Sequence, residues 1–273
     1  TIVSGGDDGT VRLWSRSGQP IANPFIGHQG VVFSVALSGN GQTIVSGGND
    51  GTVRLWSRSG EALGTPFTGH QGGVWSVALS GDGQTIVSGG IDGTVWLWSR
   101  SGEALGTPFT GHQGAVNSVA LSGNGQTIVS GGDDGTVRLW SRSGQPIANP
   151  FIGHQRVVFS VALSGNGQTI VSGGNDGTVR LWSRSGEALG TPFTGHQGWV
   201  WSVALSGDGQ TIVSGGEDST VRLWEGSPQG WLRGACEQLR EHSVLRDPDS
   251  SFEPAVAWRA RRVCEREVWG VGK

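Results

Sequence analysis

Histidine, serine and aspartate recur together along this chain. His28, His70, His112, His154 and His196 each sit in a Gly-His-Gln triplet, and Asp50, Asp92, Asp134, Asp176 and Asp218 follow each histidine by 22 residues. The serine of a repeated TIVSGG segment lies between them. One chemistry these residue types support is acyl transfer, in which serine attacks, histidine takes its proton and aspartate orients the histidine. A triad of that kind works at one asymmetric site beside an oxyanion hole. Here the set returns in every complete unit, so its repetition points to structure, and the chain is read as a non-enzyme. The SGGDDG segments bridge two predicted strands and no helix follows to receive an anion, so they are not phosphate loops. Cys236 and Cys264 lack metal-ligand spacing, and with His242 they leave zinc one ligand short. No metal and no cofactor is expected.

What must position these residues is a repeat. Trp14, Trp56, Trp98, Trp140, Trp182 and Trp224 each follow the last by 42 residues, and Asp8 opens the aspartate series. A second period is superposed, since units beginning QPIANPFIGHQ recur after three repeats, which reads as duplication of a three-unit block. Each unit is predicted to form four short strands. SVALS is the first, and the Asn-Gly or Asp-Gly turn after it is a strong hairpin signal. TIVSGG is the second and TVRLWS the third. EALGTPF or QPIANPF is a weaker fourth strand, whose proline suits a sheet edge. Such a sheet cannot bury both faces alone, and stacking copies around an axis gives a β-propeller.

Composition agrees. The 273 residues include 50 glycines, which suits many tight turns, and the net charge of -3 gives no overall pull toward nucleic acid or anionic membrane. No stretch approaches the roughly 18 apolar residues of a membrane span. Two cysteines are too few for a disulfide framework, and a reducing cytoplasm is the simpler expectation. No methionine occurs, not even at position 1, so the sequence reads as a piece of something longer.

The Gly-His pair, the Asp of a DG turn and the Trp six residues beyond it resemble the WD-repeat β-propellers over residues 1–225. The residue after Trp is Ser15, Ser57, Ser99, Ser141, Ser183 or Glu225, where the family usually has Asp. The resemblance implies an all-β fold of six blades, at 1–25, 31–67, 73–109, 115–151, 157–193 and 199–225, with a small α-helical tail at 226–273. It also implies a hydrogen-bonded tetrad in each complete blade. The tetrads would be His28, Ser46, Asp50 and Trp56; His70, Ser88, Asp92 and Trp98; His112, Ser130, Asp134 and Trp140; His154, Ser172, Asp176 and Trp182; and His196, Ser214, Asp218 and Trp224. The residue types fit, because Ser accepts from the Trp N–H and donates onward to a His that the carboxylate orients. The first blade keeps Ser4, Asp8 and Trp14 without a histidine.

Differences between copies are where recognition would sit. Trp199 stands where the other blades have Val31, Gly73, Ala115 and Val157. Two residues on come Phe33, Trp75, Asn117, Phe159 and Trp201, and before the repeated Asp come Asp7, Asn49, Ile91, Asp133, Asn175 and Glu217. Arg156 replaces a glycine of the other blades. By the resemblance these positions ring the channel mouth. Aromatics and Arg are enriched at interface hot spots, so the expected partners are proteins or peptides. Two alternatives stay open: packing of the aromatics between blades, with the rest drift, and a small-ligand or glycan site built on the rim tryptophans. Trp96, in place of Arg in TVRLW, belongs to another strand and is expected to serve blade packing.

The tail resembles a short helical appendage of some bacterial, notably cyanobacterial, WD-repeat signalling proteins. That implies a scaffold or sensor module of a larger signalling chain, with Cys236 and Cys264 as small core residues between helices. Because the first 18 residues begin at a second strand and recur at 127–144, a segment like residues 103–126 is expected upstream. The ring as given is expected to be open, or closed with unpaired edges that invite self-association.

Overall fold

The computed structural model describes residues 1–227, 236, 240, 249, 261 and 263–265. Blade 1 consists of β1 (Ile2–Gly5), β2 (Thr10–Trp14) and β3 (Phe25–Ile26). Blade 2 holds β4 (Val32–Leu37), β5 (Thr43–Gly48) and β6 (Val53–Ser57), and blade 3 holds β7 (Val74–Leu79), β8 (Thr85–Gly90) and β9 (Val95–Ser99). Blade 4 runs through β10 (Val116–Leu121), β11 (Thr127–Gly132), β12 (Thr136–Ser141) and β13 (Phe151–Ile152). Blade 5 holds β14 (Val158–Leu163), β15 (Thr169–Gly174) and β16 (Val179–Ser183), and blade 6 holds β17 (Val200–Leu205), β18 (Thr211–Gly216) and β19 (Val221–Glu225). All pairing is antiparallel between chain neighbours. In blades 2, 3 and 5 the fourth strand shrinks to two isolated bridges each, Val53 to Phe67 and Trp56 to Ala62, Val95 to Phe109 and Trp98 to Ala104, and Val179 to Phe193 and Trp182 to Ala188. The weakness expected of the proline-bearing segment is visible there.

The core lies between blades. Val45, Val53, Leu55 and Phe67 of blade 2 pack on Val74, Val77, Ile86 and Trp98 of blade 3, and the pattern repeats across each of the five junctions. Each blade thus turns its Val/Leu face to the next blade and its Ile/Trp face to the previous one. The TIVSGG segment explains why both glycines are needed. A Cβ on Gly131 would stand 2.6 Å from Val158 Cγ1 of the next blade, and one on Gly90 would stand 2.6 Å from His70 Nδ1. The first glycine admits the neighbouring blade and the second admits the histidine ring.

Inner strands are also tied across junctions. Ser34, Ser76, Ser118 and Ser160 Oγ each accept the amide N–H of Val77, Val119, Val161 and Val203 on the next inner strand, all at 3.0 Å.

The end faces of this array are bare. Ile2 is 53% exposed where Ile44, Ile86, Ile128, Ile170 and Ile212 are fully buried. Val221 and Leu223 are 74% and 73% exposed where Val53 and Leu55 are buried. At Gly215 a Cβ would meet nothing within 4 Å. Among the described residues, blades 1 and 6 therefore do not bury each other, as expected for an open ring.

One turn breaks the repeat. Gly9, Gly51, Gly93, Gly135 and Gly177 have φ between 72° and 74°, and a Cβ there would approach a backbone oxygen of the next blade at 2.8–3.0 Å. Blade 6 carries Ser219 at this position with φ 59°. With no blade packed beyond it, only the backbone strain of a non-glycine residue remains. Ser219→Gly is expected to raise stability by about 1 kcal/mol. Gly135→Ser should lower it by more than that, because its Cβ would also press on the Arg156 carbonyl. Denaturant midpoints of both variants check this.

Cys236 and Cys264 form a disulfide, with Cα atoms 5.4 Å apart and both residues buried. This corrects the expectation of two reduced core thiols, because packing two cysteines side by side brings their sulfurs within bonding reach. The argument for a reducing compartment that rested on them falls away. The two helices expected in 226–273 lie outside the described residues, apart from helical positions at Cys236, Arg261, Val263 and Cys264.

Candidate functional site

The repeated Ser, His, Asp and Trp meet in every blade that contains all four. In blade 4, Trp140 Nε1–H donates to Ser130 Oγ at 2.9 Å, Ser130 Oγ lies 2.7 Å from His112 Nε2, and His112 Nδ1 lies 3.0 Å from Asp134. Since Ser130 accepts from Trp, its own hydrogen goes to Nε2, and Nδ1–H is left to donate to the carboxylate. Blades 2, 3, 5 and 6 repeat the chain with Ser–His separations of 2.7–2.8 Å. The serine hydroxyl is fully or almost fully buried beneath the Trp and His rings. It spends its hydrogen on histidine. The geometry holds a turn to a strand.

Burial raises the Asp50 carboxyl, but the Gln29 N–H, Thr52 and His28 bonds to it outweigh that and hold it at about 2. The Asp92, Asp134, Asp176 and Asp218 carboxyls are lowered too. Burial pushes His28 and His70 below the ordinary histidine value, against the opposing pull of Asp50 and Asp92. The His28 and His70 imidazoles are therefore neutral at pH 7, beside charged Asp50 and Asp92 carboxylates.

Two blades depart from this scheme. Blade 1 has no histidine, and Asp8 instead pairs with Arg12 at 2.7 Å, where Arg54, Arg138 and Arg180 stay 3.8–3.9 Å from their aspartates. In blade 3 the arginine is replaced by Trp96, which stacks on Trp98 at 5.1 Å and 16°. Its indole N is buried without a hydrogen-bond partner. Trp96 thus stands over Trp98 where the other blades have an arginine, with no charge for Asp92.

The variable positions converge on one end of each blade. Register shifts between Val32 and Ser34, Val74 and Ser76, Val116 and Ser118, Val158 and Ser160, and Val200 and Ser202 make Phe33, Trp75, Asn117, Phe159 and Trp201 the bulge residues of the inner strands. A bulge leaves its extra residue out of the ladder and re-aims the side chain. The amides of Asn49, Ile91, Asp133, Asn175 and Glu217 donate to the carbonyls of Val31, Gly73, Ala115, Val157 and Trp199, so the three variable sets adjoin. Asp7 is exposed in blade 1, which has no inner strand among the described residues.

The rim is not a continuous aromatic ring. Phe33 meets Trp75 edge-on at 6.5 Å between blades 2 and 3. Phe159, Trp199 and Trp201 form a second cluster between blades 5 and 6, with centroids 4.6–5.6 Å apart. Asn117 interrupts the series, bonding Asp133 at 2.9 Å and the Val158 carbonyl at 3.1 Å. Phe33, Trp199 and Trp201 are 45%, 37% and 47% exposed, so they are not consumed by blade packing. Ile91 is also exposed, and Arg156 is exposed with no side-chain hydrogen bond or ion pair among the described residues. Nothing in the sequence marks the inner strand as bulged, which is why the two clusters were not separable from spacing alone.

Six small antiparallel sheets, packed face to face in series and five of them pinned by the same side-chain chain, define a β-propeller. The pattern of the "WD domain, G-beta repeat" family matches residues 1–15, 18–57, 60–99, 102–141, 144–183 and 186–225, and the chain belongs to that family. The match 18–57 takes in β3 of blade 1 and the three strands of blade 2, so each sequence repeat stitches two blades together. Comparison with curated proteins finds no match. WD repeats generally serve as protein-interaction scaffolds and are generally non-catalytic. No described helix is long and apolar enough to cross a membrane, and the described residues hold no group of three or more His, Cys, Asp or Glu placed to bind a metal.

Proposed function

We propose that this chain is a non-catalytic scaffold or sensor module of the bacterial signalling type, which binds protein or peptide partners on the end of the propeller that carries the bulges. One observation carries the reading: three positions that vary from blade to blade adjoin at the bulged end, and Phe33, Trp199 and Trp201 among them stay exposed. Self-association through the bare faces of blades 1 and 6 belongs to the same proposal. It rests on Ile2, Val221 and Leu223, and sedimentation against concentration reads it out.

The test uses short random peptides displayed and selected on the full chain. A variant combining Phe33→Ala, Trp75→Ala, Trp199→Ala and Trp201→Ala should lose about tenfold or more in affinity for the selected peptides. Arg58→Ala with Arg142→Ala, in turns at the other end of the blades, should leave affinity within about twofold. A glycan or small-ligand rim would draw on the same exposed indoles. A sugar signal lost in Trp75→Ala or Trp201→Ala, with no rim-dependent peptide, selects that second reading.

A further inference from the structure

We propose that the blade 5–6 cluster is a pocketless anchor for an arginine side chain of a peptide, held flat on the indoles and paired with Glu217. The inference rests on the rim being the binding surface and names what binds there.

Internal comparison isolates the feature. Five inner strands present the same three variable positions, but only blade 6 combines two tryptophans with an acid, as Trp199, Trp201 and Glu217. Blade 4 also has an acid, yet Asp133 is already engaged by Asn117. Blade 3 pairs Trp75 with the apolar Ile91. Glu217 is fixed in place: its amide donates to the Trp199 carbonyl at 2.8 Å, and its Oε2 accepts the Trp199 N–H at 3.2 Å. Its other oxygen, Oε1, has no hydrogen bond among the described residues, so one side of an exposed, charged carboxylate is aimed from beside the indole.

The ring geometry decides the kind of cation. Phe159, Trp199 and Trp201 touch one another at 4.6, 5.0 and 5.6 Å, which leaves no gap for a quaternary ammonium to sit among three faces. Trp199 and Trp201 each keep part of the indole exposed, and their planes stand at 73°. A planar group stacks on such a face, and a guanidinium is the planar cation among side chains. Its N–H fork suits a carboxylate with a free oxygen, whereas a lysine ammonium offers no plane to stack. Charge at this end favours the same choice. Asp7 and Glu217 are exposed at this end, and the one cation among the rim positions, Arg156, lies in the turn packed on Gly135 of blade 4.

The experiment takes peptides selected by display on the full chain, remakes each synthetically, and measures affinity by calorimetry. The selected peptides should share an arginine. Its replacement by citrulline should weaken binding about tenfold or more, and replacement by lysine should weaken it severalfold. Glu217→Gln and Trp201→Ala should each cost about tenfold, while Arg58→Ala, in a turn at the other end of the blades, stays within about twofold, with thermal midpoints of all variants matched to the parent. Peptides that need the rim aromatics but carry no common arginine, or that tolerate Glu217→Gln, overturn this inference and leave the rim reading standing. Peptides indifferent to every rim variant, or a selection that yields none, overturn both.

Discussion

His112→Ala should cost about 3 kcal/mol of folding stability, read as a lowered denaturant midpoint with unchanged cooperativity. The reason is what the imidazole leaves behind. Ser130 is fully buried and still accepts from Trp140, but its hydroxyl hydrogen would have no acceptor. Asp134, whose side chain is only 10% exposed, would lose its Nδ1–H donor at 3.0 Å. Each stranded buried polar group costs about 1–3 kcal/mol, and a cavity adds to that. Ser143→Ala, which removes only an exposed hydroxyl contact with Ser141, should stay within about 0.5 kcal/mol. The contrast separates tetrad chemistry from generic serine or histidine content. A His112→Ala protein as stable as the parent would mean the turn is held by packing and the hydrogen bonds are incidental.

The second large effect is acid unfolding, and its sign follows from two sets of groups moving the same way. Tetrad carboxyls are lowered in the fold, Asp50 to about 2 from an ordinary 3.8. Above the ordinary value both states are ionised and the contribution is complete. As pH falls from about 4 toward about 2, the unfolded chain takes up protons that the native carboxylates refuse, and stability is lost. His28 and His70 are lowered as well, from 6.5, by burial. The unfolded chain therefore protonates these two first, and their share of stability begins to fall just below 6.5. The urea midpoint should be flat above about pH 7, decline gently below 6.5, and collapse below about 4. A midpoint that rises between pH 7 and 5 would show that native histidines take up protons more readily than unfolded ones, against the burial argument.

Much of this fold was legible because its signals are local and repeated. The Asn-Gly and Asp-Gly turns, the 42-residue return of Trp and the apolar SVAL and TIV runs each predict a strand boundary, and 19 strands plus the single bridges fall where those signals place them. Which side chains meet in the tetrad was implied by the family resemblance, and the antiparallel register agrees with it, placing Ser130 opposite Arg138, two residues from Trp140. What stayed hidden depends on contacts with no local mark. The bulge at Asn117 looks like any strand residue. The Asp8–Arg12 pair appears only once histidine is missing from its side. Ser219 is tolerated in its turn at the cost of backbone strain alone because no blade presses on it, and pairing of Cys236 with Cys264 is a fact of tertiary proximity.

The inner-strand bulges have an evolutionary consequence. A residue outside the ladder can change without shifting register, so mutation there samples new surfaces while the load of folding rests on other positions. A blade is then a cassette with three free slots, and duplication copies the frame together with its current letters. A chain that grows by copying blocks of three such cassettes acquires a combinatorial surface at once, and divergence at Phe33 against Trp75, or Phe159 against Trp201, is enough to give each copy its own vocabulary.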